Sequence, residues 1–253
     1  MVLKTIRTDR LISEVYTNRK EMGKAAGTAA ARAIGAVLAE KETANVIFAA
    51  APSQNEMLES LLKENIDFTR VNAFHMDEYV GLHIEDQQSF ARYLTDHIFE
   101  KTVFHSVHLI SDAKTGESAC EEYAKLLLDN PPDVVLMGIG ENGHIAFNDP
   151  AVADFHDSKI IKRVELDEIC RNQQVHDKCF ETLEQVPKYA LTLTIPTLLS
   201  AKYIICTVPG TNKAKAVKEM LTGPIGEHCP ATALRMHERA EMFMDVESAD
   251  EVI

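Results

Sequence analysis

Short runs of β-branched and other apolar residues alternate along this chain with longer segments whose apolar positions recur every three or four residues. These are the periods of strand and helix. The Ala-rich run Met22 to Leu38 makes the first strong helix, entered through Asn18 with Glu21 three residues on, a pairing that resembles a capping box. Strands are predicted at Asn45 to Ala51, Val71 to Met76, Asp133 to Met137, Ser158 to Leu166, Lys202 to Val208 and Ala240 to Asp245. Helices are predicted between them, at Ser53 to Lys63, Ser89 to Phe99, Glu117 to Leu128, Asp167 to Lys178 and Asn212 to Leu221. Such alternation implies an α/β fold built on a parallel sheet of about six or seven strands. After Pro150 the pattern turns polar, so residues 151–185 are expected to form a surface excursion that covers a pocket, a lid.

The chain has 253 residues, 45% of them hydrophobic, enough to bury one large core, and a single domain over 1–253 is expected. Its formal net charge of -13 argues against nucleic acid or an anionic membrane as a partner, since both reward clustered Lys and Arg. An anionic small molecule would need a local basic pocket. The five cysteines show no C-x-x-C or zinc-like spacing and read as reduced thiols. Charges stand in the first ten residues where a signal peptide has its apolar core, and no long apolar run occurs, so a soluble, cytoplasmic chain is expected.

Candidate chemistry gathers where predicted strands end. Gly138-Ile-Gly-Glu-Asn-Gly143 matches the dinucleotide pattern G-x-G-x-x-G, but it lies mid-chain and Pro150 leaves room for only a short helix behind it. The glycines are therefore read as a tight turn that brings His144 and backbone N–H groups to a pocket mouth, with Asn142 and Asp149 as partners for the imidazole. His75-Met-Asp-Glu-Tyr79 places Asp77 and Glu78 at the end of a second strand, raw material for acid–base catalysis. Ser53 and Gln54 follow a third strand and either cradle an anion or simply cap a helix. Lys213, in the first turn after a fourth, opposes the helix dipole unless an anion sits between them. His105 and His108 lack a third ligand, and no G-x-S-x-G or P-loop lysine pattern occurs, so neither a catalytic metal nor a cofactor is expected.

Phe74 to Leu82, Gly138 to Pro150, Gln185 to Thr192 and Gly210 to Lys213 together resemble, in order, the glucosamine-6-phosphate deaminase (isomerase) family. That family sits in a superfamily with 6-phosphogluconolactonase. The resemblance implies a three-layer αβα sandwich with a central, mostly parallel, Rossmann-like sheet. It also implies conversion of an amino-sugar 6-phosphate to a ketose 6-phosphate with release of ammonia. Asp77 would move the proton between C2 and C1, His144 would assist ring opening, and Asn142 and Asp149 would orient it. Ser53, Gln54, Gly143 and Lys213 would hold substrate, joined by Lys178 from the lid. The chain departs from the family pattern in three places: at Asn142, where relatives have Asp, at Asp149, where they have Glu, and over Ser53-Gln-Asn-Glu56, where a Gly-rich phosphate loop is common. The alternatives are a phosphosugar lactonase and a non-catalytic sugar-phosphate sensor. The sequence after Pro150 lacks the basic residues with which allosteric relatives bind their activator, so no such activation is expected, and a homo-oligomer is left open.

Overall fold

The computed structural model describes residues 1–110, 116–176 and 178–253. Its strands are β1 (Val2–Thr8), β2 (Leu11–Tyr16), β3 (Ala44–Phe48), β4 (Val71–His75), β5 (Asp77–Tyr79), β6 (Ser106–His108), β7 (Val134–Met137), β8 (Ile161–Glu165), β9 (Tyr189–Leu193), β10 (Tyr203–Val208) and β11 (Ala240–Asp245). Its α-helices are α1 (Arg19–Leu38), α2 (Asn55–Leu61), α3 (Phe90–Leu94), α4 (Gly116–Asp129), α5 (Glu168–His176), α6 (Ile195–Leu199) and α7 (Ala214–Thr222).

Eight strands form one sheet in the order β1-β2-β11-β10-β7-β3-β4-β6. Only the β1–β2 hairpin is antiparallel; every other neighbouring pair is parallel. The chain lays β4 and β6 outward from β3, then returns to place β7 on the other side of β3 and continues to β10 and β11. Strand order therefore reverses between β3 and β7, the position where open α/β sheets bind ligands beyond the carboxyl ends of their strands.

Successive strand residues point to opposite faces, and both faces are covered. Val46 and Phe48 of β3 and Val134 and Leu136 of β7 pack with Ile34 of α1 and Met57 of α2. Ile47, Val135 and Met137 pack on the other face with Tyr123 of α4, Leu198 of α6 and Val217 of α7. This is the expected αβα sandwich with a mostly parallel sheet. α1 and α2 meet closely because Gly23 and Gly27 have no side chain: a Cβ at Gly23 would lie 2.3 Å from that of Glu56. The Asn18 carboxamide caps α1 by accepting from the Glu21 N–H at 2.9 Å, but Glu21 turns its carboxylate to the Met1 amino group, so half of the capping box forms.

The expected six or seven strands are corrected to eight in the main sheet and three in a separate antiparallel sheet, β5-β9-β8. The strand expected at Ser158 to Leu166 exists as β8 but belongs to this small sheet. The helix expected at Ser89 to Phe99 is α only to Leu94 and continues as π-helix over Thr95–Phe99. Asp177, inside the helix expected to reach Lys178, lies outside the described residues. All five cysteines are free thiols. Among the described residues no helix is long and apolar enough to cross a membrane.

Candidate active site

The loops after β3, β4, β7 and β10 meet over the switch point and line a cavity of about 880 Å³, part of it open to solvent. Ser53, Asp77, His144 and Lys213 each enter from a different loop, and Gln173 and Gln174 of α5 close one side. Although the chain carries a net charge of -13, the side chains of Arg19 and Lys213 both line this space, so a basic patch exists where an anion could bind.

Asp77 owes its position to a strand pair. β5 runs antiparallel to β9 with Asp77 opposite Thr192, and Thr192 Oγ1 accepts the Phe147 N–H at 3.0 Å, so β9 ties the Asp77 strand to the His144 loop. This is what the Gln185 to Thr192 motif does physically. The Asp77 side chain is almost fully buried, and burial, with the neighbouring Glu78 charge, pushes its carboxyl well above the usual carboxylate range. Glu78 does not share the cavity. Its carboxylate accepts the Phe90 and Ala91 N–H groups at 3.1 and 2.8 Å and so satisfies the open first turn of α3. His75 is wholly buried and pushed down by burial to about 3, hence neutral at physiological pH.

The glycine-rich turn opens no helix, which removes the dinucleotide reading. Gly140 is required by contact: a Cβ there would lie 2.1 Å from the His144 ring. Gly143 adopts φ +82, a left-handed conformation that turns the chain toward His144. The imidazole Nδ1 sits 2.9 Å from Asp149 Oδ1. Asn142 braces the pair, its Nδ2 donating to Asp149 Oδ1 at 3.0 Å and to Asp167 Oδ2 at 3.3 Å, while its Oδ1 accepts the His144 N–H at 3.0 Å. Burial works to raise the Asp149 carboxyl, but the bond and charge of His144 and the Asn142 amide outweigh it and hold the group below its ordinary value. Cys170 completes a trio whose potential metal-ligating atoms lie within 4.8 Å of one another. Burial and the charges of Asp149 and Asp167 push its thiol well up. The His144–Asp149 contact already has hydrogen-bond length.

The residues expected to hold substrate divide into two groups. Ser53 and Lys213 line the cavity; Lys213 is buried and stands at the entrance to α7. Gln54 lies behind Ser53, donating to its Oγ at 3.1 Å, and Gly143 spends its N–H on the Gly140 carbonyl at 3.1 Å, so both support the wall rather than face the space. Lys178 is corrected in position. It is exposed, with φ +60, and borders a separate surface depression with Gln88 and Glu181. Sequence reading missed Arg19 and Asp167, as well as Asp245, whose carboxylate accepts the Gly210 N–H at 3.1 Å and fixes the loop carrying Lys213.

Asn142 leads to a prediction. Asn142→Asp keeps the shape but exchanges two N–H donors for a third carboxylate facing Asp149 and Asp167. Urea denaturation at neutral pH is expected to show a loss of about 2–4 kcal/mol, and adding Asp167→Asn is expected to recover much of it. Equal stability of Asn142→Asp and the parent would refute this role.

A buried carboxyl, an imidazole paired to a carboxylate and a buried ammonium thus meet at the switch point of a doubly covered α/β sheet, a set of groups suited to acid–base chemistry. The chain belongs to the family described as glucosamine-6-phosphate isomerases/6-phosphogluconolactonase, whose model matches residues 17–244. A glucosamine-6-phosphate deaminase of Listeria welshimeri is 36% identical over 190 residues, 75% of this chain and 79% of that protein. A solved monomeric glucosamine-6-phosphate deaminase superposes with a TM-score of 0.85 at 29% identity, covering 96% of this chain and 99% of the other. The 6-phosphogluconolactonase of Thermotoga maritima shares the fold at a TM-score of 0.76 and 18% identity, with 93% and 99% covered.

Proposed function

We propose that this protein converts glucosamine 6-phosphate and water to fructose 6-phosphate and ammonia. The convergence of Asp77, His144 and Lys213 from separate strand-end loops on one cavity carries the reading, in a chain whose relatives bear the name of that activity. The reaction joins an isomerisation to a hydrolytic deamination. His144 relays a proton from the C1 hydroxyl to the ring oxygen, which opens the ring. Asp149 offsets the positive charge that the imidazole gains in passing it on. The Asp77 carboxylate then takes the C2 proton and delivers it to C1, while the substrate ammonium gives up one proton to the C1 oxygen, so the aldehyde becomes a primary alcohol and C2 an iminium; water adds at C2 and ammonia departs. Ser53 and Lys213 bind the phosphate, and α5, within the segment 151–185, acts as the lid through Gln173 and Gln174.

The purified protein is expected to release ammonia and fructose 6-phosphate from glucosamine 6-phosphate; no turnover of that sugar or of its galacto epimer would overturn the reading. A pH profile is a second, sharper check. Because Asp77 acts as carboxylate and its affinity for a proton is raised, kcat/KM is expected to rise with pH along a limb centred above the ordinary Asp value of about 4. Activity is lost as pH falls through that raised value. A limb centred at or below about 4 would exclude Asp77 as the base.

A further inference from the structure

A phosphate dianion calls for more than one cationic donor, and with Lys178 outside the cavity the partner of Lys213 must come from elsewhere. We propose that Arg19, the first residue of α1, is that second phosphate ligand, an inference that rests on the sugar-phosphate reading above.

Three observations carry it. Arg19 lines the same cavity as Ser53 and Lys213, and among the described residues it and Lys213 are the Lys and Arg side chains that do so. Its guanidinium is already anchored: Nε donates to Glu56 Oε1 at 2.7 Å and Nη2 donates to the Pro52 carbonyl, at the start of the turn that presents Ser53. Those two bonds leave about three of the five guanidinium N–H donors for a ligand, in a fork suited to phosphate oxygens. The anchoring follows from the helix packing. Gly23, one turn beyond Arg19, allows α1 to ride directly on Glu56 of α2, and this contact brings the first turn of α1 to the Pro52–Gln54 turn.

The pair also resolves an oddity of the loop. Glu56 adds a negative charge beside the presumed phosphate, and Arg19 adds a cation to a helix N-terminus, each unfavourable by itself. Together they neutralise one another at 2.7 Å, and Glu56 acts as a positioning residue that aims the guanidinium. A side chain held in this way loses less conformational freedom when ligand arrives.

The test compares the parent with Arg19→Ala, Arg19→Lys and Lys178→Ala, using calorimetric titration with inorganic phosphate and steady-state kinetics on glucosamine 6-phosphate. Arg19→Ala is expected to weaken phosphate binding and raise KM by about 10- to 100-fold while kcat changes by less than about threefold. Arg19→Lys keeps the charge, the α1–α2 packing and the fold, but loses the fork, and is expected to fall between the two. Lys178→Ala is expected to match the parent within about twofold, as for an exposed charge that does not line the cavity. Phosphate affinity unchanged in a folded Arg19→Ala or Arg19→Lys protein, or a loss in Lys178→Ala as large as that in Arg19→Ala, would overturn the proposal. Arg19-dependent phosphate binding without turnover by the parent would support this inference and sink only the assigned reaction.

Discussion

Asp77→Asn is expected to cut turnover severely and, at neutral pH, to make the protein more stable. The two effects share one cause. The Asp77 carboxyl is buried beside Glu78, and burial first, then the neighbouring charge, raises its affinity for protons in the folded state. A group that holds a proton more tightly when folded than when unfolded gives stability that is fully present below its unfolded value of about 4 and lost as pH rises through the folded value. At the pH where the enzyme works, the fold therefore bears the burden of an ionised carboxylate in a low-dielectric site. The amide has no charge to desolvate. Removal of a general base lowers kcat by about 10²- to 10⁴-fold. Relief of a strained functional group commonly returns about 0.5–2 kcal/mol, a rise in Tm of roughly 2–6 °C for a chain of this size. The stabilisation should shrink as pH falls toward 4, where the parent carries the proton as well. Thermal melts of both proteins from about pH 5 to 8, read beside the rates, test the linkage. A variant that retains activity, or one whose Tm falls at neutral pH by the same amount as at acid pH, would refute it.

The strands that build the switch point were readable because they are buried on both sides. β3, β4 and β7 are buried at every residue; β7 is a continuous apolar run, and β3 and β4 are apolar apart from Asn45, Asn72 and the terminal His75, so the strand signal was strong. β1 lacked that signal: it is an edge strand, mostly exposed, and carries Lys4 and Arg7. β5 and β6 have three residues each, too few to show a period, and β5 is made of Asp77, Glu78 and Tyr79, an unpromising strand composition. Its existence depends on pairing with β9, more than a hundred residues later.

The site divides along the same line. Asp77, His144, Asp149 and Lys213 each lie in the segment that leaves the carboxyl end of a strand, so reading the strands located them. Lys178 was misplaced because spacing says nothing of the left-handed turn that ends α5; there the Lys178 N–H donates to Val175 and Cys179 turns inward instead. Arg19 reaches the cavity only through the close packing of α1 on α2, and Asp167 reaches Asn142 only once β8 has folded back against β9. These contacts depend on distances between elements, which a local pattern does not encode. The apparent loss of charge at Asn142 illustrates this: the sequence suggested a missing carboxylate, and Asp167 stands 3.3 Å from the amide.

Asp149 tests whether the His144 partner is needed for its charge or for its size. Asp149→Asn preserves volume in a site that is 1% exposed, and keeps an oxygen for Asn142, but offers the imidazole no anion. An amide placed at 2.9 Å from Nδ1 can also present its NH₂ to that nitrogen and hold the ring in the wrong tautomer. A loss of about 10²- to 10⁴-fold in kcat is expected, with the fold intact by circular dichroism. Asp149→Glu makes the opposite change. It keeps the carboxylate and adds a methylene where His144, Asn142 and Cys170 already crowd the side chain. Overpacking of this kind costs about 1–3 kcal/mol of stability, and the displaced carboxylate should reduce kcat less than the amide does. The order of activity is therefore parent, then Glu, then Asn; the order of stability places Glu last. If Asp149→Asn turned over as fast as the parent, the carboxylate would serve only to shape the turn, and the proton relay assigned to His144 would have to run without a counter-ion.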